Sequence, residues 1–224
     1  MRMLCVKAQS DYNGHKDVKP AIVSHNWRGQ TKDKDRRAGN MIKKEDYNRV
    51  RRQLQEYLEA RFEDAVVQIG DNIHYKGTNV VVTSRAFEGL LAEQRFHHVV
   101  RAIPKEFYED YLQRGVVWFE LAPGESGRDL MKMPRASDVA EEEIAIRKQL
   151  EKIEFFSKFQ SKLTSDPKRL SDTHFNITRE ILAEAGLNET KAERICLFMV
   201  LLGAFCDAHV LADVLPTLTS EHAA

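Results

Sequence analysis

Three short runs carry the strand-forming character of this 224-residue chain: Ala65-Val66-Val67-Gln68-Ile69, Thr78 to Thr83 (TNVVVT) and Val116 to Leu121 (VVWFEL). β-Branched and aromatic side chains suit a pleated, half-buried surface. Gly70-Asp71-Asn72 and Lys76-Gly77 supply turn chemistry between the first two runs, so a hairpin is the expected arrangement there. A sheet built from three such strands is small, and it buries a face only if other elements cover it.

The cover is legible in the flanking periodicity. Tyr47, Val50, Leu54, Tyr57, Leu58 and Phe62 recur at three- and four-residue steps and predict an amphipathic helix. Leu90 to Ile103 can be helical until Pro104, and Pro104 to Gly115 repeats Phe107, Tyr111 and Leu112 at helical spacing before a closing glycine. The resulting order, helix, strand, strand, helix, helix, strand, predicts an α+β layer with helices on one face of the sheet. The breaker cluster Ala122-Pro123-Gly124-Glu125-Ser126-Gly127 closes this α+β domain, placed at 45–126, and 127–136 reads as a linker. An all-helical domain is expected over 137–216, followed by a tail at 217–224. Its first helix opens at Asp138 with Glu141 as a capping box and buries Ile146, Leu150, Ile153, Phe156, Phe159 and Leu163. A second follows Asn176 and stops at Gly186, and a third opens at Thr190 with Glu193 and runs to just before Pro216.

A composition of 42% hydrophobic and 30% charged residues is that of a globular protein. The longest apolar run, Ile195 to Cys206, is shorter than the roughly 20 residues a membrane-spanning helix needs and reads as a buried helix. The first residues lack the apolar stretch of a secretory signal, so a cytoplasmic location without membrane association is expected. Cys5, Cys196 and Cys206 form no CxxC pair, and the last two read as small core side chains. The zero net charge conceals an asymmetry. Residues 1–44 hold eleven Lys/Arg against four Asp, residues 45–136 thirteen basic against fifteen acidic, and residues 137–224 ten against fifteen. The 1–44 segment therefore reads as a basic, flexible arm, in which Arg28, Lys32, Lys34, Arg36, Arg37, Lys43 and Lys44 are candidates for contacting nucleic-acid phosphates.

Within this order, VVVTSRAFEGLLAEQRFHHVV resembles the BolA-like family, whose signature is a strand ending in Val-Ser, a Phe-x-Gly turn and a helix opening with Arg-His-Arg. Here those positions are Val82, Ser84, Phe87, Gly89 and Arg95, and the resemblance covers roughly residues 48–126. It implies an α-β-β-α-α-β fold like a class II KH domain. It also implies histidines at positions occupied here by Phe96 and, in the last strand, by Val117-Trp118. Those histidines are associated with iron–sulfur binding when family members pair with monothiol glutaredoxins. Phe96 and Val117 offer no metal donor, and Trp118 offers only an indole N–H.

The adjacent His97 and His98 leave three readings open: an exposed, titratable helix surface, a contact to phosphate or a protein partner, or, with His74 and a changed register, a metal site. No resident metal or other cofactor is expected. Asp207, His209 and Asp213 read as a buried or capping hydrogen-bond network. No catalytic motif stands out, so a non-enzymatic regulator is expected, binding nucleic acid through the KH-like domain and the arm, with Arg95, His98 and Arg101 extending the positive surface along the second helix. The alternatives are a protein–protein adaptor, with the helical domain as docking or homodimerisation surface, and an iron–sulfur trafficking partner of a monothiol glutaredoxin.

Overall fold

A computed structural model describes residues 42–72, 77–113 and 115–216. The architecture is α+β. The helix α1 (Tyr47–Glu59) is followed by β1 (Val66–Asp71), β2 (Thr78–Thr83), α2 (Ala92–Ala102), α3 (Lys105–Phe107, continued by a π-turn over Tyr108–Leu112) and β3 (Val116–Leu121). The three strands share one sheet in the order β1-β2-β3. β1 and β2 are antiparallel, pairing Val67 with Val82, whereas β2 and β3 are parallel, pairing Val80 with Trp118.

Alternation sorts each strand onto two faces. Val67, Val80 and Val82 are buried beneath Val50, Leu54 and Leu58 of α1 and Val99 of α2, in one core that also takes Phe62, Phe87, Phe107 and Leu112. The open side of β1 is closed by a side chain: Gln55 donates to the carbonyl of Ala65 and accepts from the N–H of Val67, imitating a neighbouring strand. This satisfies backbone groups that would otherwise invite another strand.

The 127–136 stretch is folded rather than a linker. Ser126 caps α4 (Gly127–Lys132) reciprocally with Asp129, and Leu130 packs on Leu121 and Ala92. Beyond it every described element is helical: α5 (Glu143–Lys152), α6 (Phe155–Ser165), α7 (Asn176–Glu184), α8 (Glu189–Leu201) and α9 (Asp207–His209, continued by a π-turn over Val210–Val214). They enclose a second core that includes Phe155, Phe159, Ile181, Phe198 and the thiol of Cys196.

Two predicted long helices are broken. Glu154 takes a left-handed conformation (φ 54°) between α5 and α6. Gly203 (φ 93°) ends the α8 run, and the extended Cys206 re-aims the chain into α9. The second break lets the buried Asp207 accept from the N–H groups of Ile177 (2.7 Å) and Thr178 (3.1 Å) and from the Thr178 hydroxyl (2.8 Å), capping α7 from thirty residues away. The capping residues also differ from expectation. Asp138 bonds back to the N–H of Arg135, inside a 3-10 turn (Ala136–Glu142) that precedes α5, and α8 is capped by Asn188, not Thr190.

Gly77 sits where β2 meets the start of β3. A Cβ there would lie 2.9 Å from the carbonyl oxygen of Gly115, the same oxygen that accepts from the N–H of Thr78. Backbone on both sides leaves little room to relax. Gly77→Ala is therefore expected to lower stability by about 1–3 kcal/mol in urea denaturation.

Candidate functional site

The second helix carries most of the residues that the sequence offers for binding, and its placement decides which of them reach solvent. α2 opens with Gln94 folded back, its side-chain oxygen accepting from the N–H of Leu91 at 3.0 Å. The Gln94 amide nitrogen then donates to the carbonyl of Phe205 at 2.7 Å. One side of α2 thus lies on the sheet and another on the segment that joins α8 to α9.

Arg95 is not a surface cation. It is 1% exposed and donates to the carbonyl oxygens of Leu90 and Glu120, each at 3.0 Å, and to both carboxylate oxygens of Glu125. Glu125 also accepts from the N–H of Ala122, and the Arg95 guanidinium holds its carboxyl below the usual range. The Arg95 assignment as a nucleic-acid contact is therefore corrected: a planar five-donor group is consumed by four acceptors inside the protein.

The adjacent imidazoles of His97 and His98 are also turned inward. His98 is 1% exposed with Nε2 2.9 Å from the carbonyl oxygen of Thr173, which removes it both as a phosphate contact and as an exposed helix surface. His97, part-buried, stacks on Phe205 with ring centroids 4.0 Å apart and planes 6° from parallel. Burial pushes their pKa values down from 6.5, to about 3 for His97 and about 4 for His98, so both are neutral at pH 7. Of the three residues expected to extend positive charge along α2, only Arg101 is exposed, and its Nη1 lies 3.2 Å from Nε2 of His209.

Phe96 packs edge-on against Trp118, with centroids 6.3 Å apart. Among the described residues, no group of three or more His, Cys, Asp or Glu side chains is placed to hold a metal ion. His74, Arg28, Lys32, Lys34, Arg36 and Arg37 lie outside the described residues, as does the 217–224 tail. Lys43 and Lys44 are exposed beside Glu45 and Asp71 respectively.

Compared with known proteins, the chain matches no family model, no curated protein and no solved structure. Its surface chemistry stands on its own geometry, and the outer side of α1 is the part that sequence reading passed over. Arg49, Arg51 and Arg52 are exposed there, within eight residues of the Lys43-Lys44 pair. Arg49 is held by Asp46 at 2.7 Å and lies over the Tyr111 ring, whereas Arg51 and Arg52 form no ion pair with any described residue. The signal was present as the run Arg49-Val50-Arg51-Arg52, but it was absorbed into the helix pattern that buries Val50.

Glu120 was not singled out by any motif. It is 4% exposed, one of its carboxylate oxygens has no hydrogen-bond partner, and burial pushes its pKa up to about 7. A carboxyl protonated in the fold but ionised when unfolded loses stability as pH rises from 4.5 through 7. Glu120→Gln is accordingly expected to remove that slope, gaining on the order of 3 kcal/mol at pH 8 relative to pH 4 in urea unfolding at the two pH values. Arg95→Ala, which strands Glu125 and two carbonyls, is expected to cost about 3–5 kcal/mol in the same measurement.

Proposed function

We propose that the protein is a non-enzymatic, BolA-like regulator that binds nucleic acid through its basic arm and the outer surface of α1. The observation that carries this reading is the pair Arg51 and Arg52, exposed and without an ion-pair partner among the described residues, close behind Lys43-Lys44. The pairs that Lys43, Lys44 and Arg49 make with Glu45, Asp71 and Asp46 are solvent-exposed and weak, and phosphate can replace the carboxylates. The link between α2 and α3, Arg101-Ala102-Ile103-Pro104-Lys105, lacks the GxxG clamp of KH domains. With Arg95 and His98 buried, binding rests on backbone phosphates and reads little sequence.

A second reading, a protein-binding adaptor, is favoured by the outer face of the sheet. Val66 is 52% exposed there, and Val81 and Val117 on the same face are part-buried.

Titration of a fluorescent duplex across a salt series separates the two readings. For the nucleic-acid reading, Arg51→Glu/Arg52→Glu is expected to weaken binding at least tenfold and to reduce the slope of log affinity against log salt by about 1.8, and deletion of residues 1–44 to flatten it further. Unchanged slopes in both variants would overturn that reading and leave the adaptor.

A further inference from the structure

Four imidazoles converge where α2 meets the segments that precede α7 and form α9. The ring of His97, stacked on Phe205, lies edge-on to His209 at 5.3 Å and to His98 at 5.7 Å. His209 accepts from the N–H of Phe205 at Nδ1 and faces Arg101 at Nε2. His174 Nδ1 sits 2.7 Å from the hydroxyl of Thr173, the residue whose carbonyl meets His98.

The charges facing these rings do not favour further protons. Arg61 bears on both His97 and His98, Arg101 on His209, and Arg179 on His174. The carboxylates nearby are Asp172, already 3.7 Å from Arg61; Asp207, committed to the start of α7; and Asp213, beside His209. Nε2 of His97 and Nδ1 of His98 are buried without a hydrogen-bond partner. A proton added to either nitrogen would create a buried N–H with no acceptor, next to a guanidinium.

We propose that this joint is an acid-released latch, in which proton uptake by His97 and His98 parts α2 from the 171–176 and 205–209 segments while the sheet stays folded. Release uncovers Phe205 and Leu91, an apolar surface closed off at neutral pH. The sign follows from the lowered imidazole pKa values. The closed joint binds fewer protons than the open one at pH values between 4 and 6.5, so closure is fully favoured above 6.5 and is lost as pH falls below it. Each imidazole that ionises only on opening raises the open population about thirtyfold between pH 7.5 and 5.0. The contacts that part include three hydrogen bonds, His98 to Thr173, Arg101 to His209 and Gln94 to Phe205, and the stack of His97 on Phe205.

The test is hydrogen exchange by mass spectrometry on the full chain, comparing wild type with His97→Phe/His98→Gln at equal pH so that intrinsic exchange cancels. Phenylalanine keeps the stack on Phe205, and glutamine keeps a donor for Thr173. At pH 5.0, amides of 94–102 and 205–211 are expected to exchange at least tenfold faster in wild type than in the variant, those of Val80–Val82 equally, and all equally at pH 7.5. Equal exchange at pH 5.0, or loss of protection in the strands together with the joint, would overturn the latch. Should the double variant fail to fold, wild-type imidazole proton resonances decide. Both rings staying neutral until the joint opens below pH 6.5 supports the latch, and independent titration of both near 6.5, with the joint closed, overturns it.

Discussion

The buried guanidinium of Arg95 is the contact on which the rest of the arrangement depends. One side chain joins the turn before α2 (Leu90), the last strand (Glu120) and the turn that leaves it (Glu125). Because the guanidinium is planar with donors on fixed vectors, satisfying all of these acceptors leaves α2 little freedom to rotate against the sheet. Rotation is what decides the rest of the helix: with Arg95 facing the sheet, Gln94, His97 and His98 are carried round toward Phe205 and Thr173. The strand-side clamp and the histidine joint are thus two consequences of a single helix orientation.

That orientation explains why Arg95 and His98, offered by the sequence as surface cations, are buried. A helix that packs on a sheet and also receives a second helical layer has only a narrow stripe left for solvent. On α2 the cation on that stripe is Arg101, already shared with His209. The exposed charge lies instead on α1, which covers the sheet with Val50, Leu54 and Leu58 and turns Arg51 and Arg52 outward. Among the described residues, the sheet face away from α1 is covered at its β3 end, where Phe119 and Leu121 meet α4 and Gly127 lies against the Phe119 ring. Val66 at the other end stays open.

The three imidazole-bearing segments of the joint come from separate parts of the chain, at 97–98, 174 and 209. No spacing rule connects them. The same holds for Asp207, whose sequence neighbours gave it a place in a buried or capping network but not the helix it caps, because the two amides it receives belong to α7. Both arrangements rely on Gly203, whose positive φ interrupts an apolar run that periodicity alone would carry onward.

The sequence by itself determined the local elements: Thr78–Thr83 and Val116–Leu121 are strands at the limits their β-branched composition predicts, and the stripe from Tyr47 to Leu58 is a helix with its apolar side inward. These features depend on neighbours within a few residues, where periodicity and turn chemistry act. Tertiary structure alone decided the parallel seating of β3 on β2, the folding of 127–136 onto the sheet and the burial of Arg95 and His98. Each of these turns on a partner far along the chain. An arginine is written identically whether its acceptors are phosphates in solution or a carbonyl twenty-five residues away, and only packing, which settles whether water can reach it, separates the two.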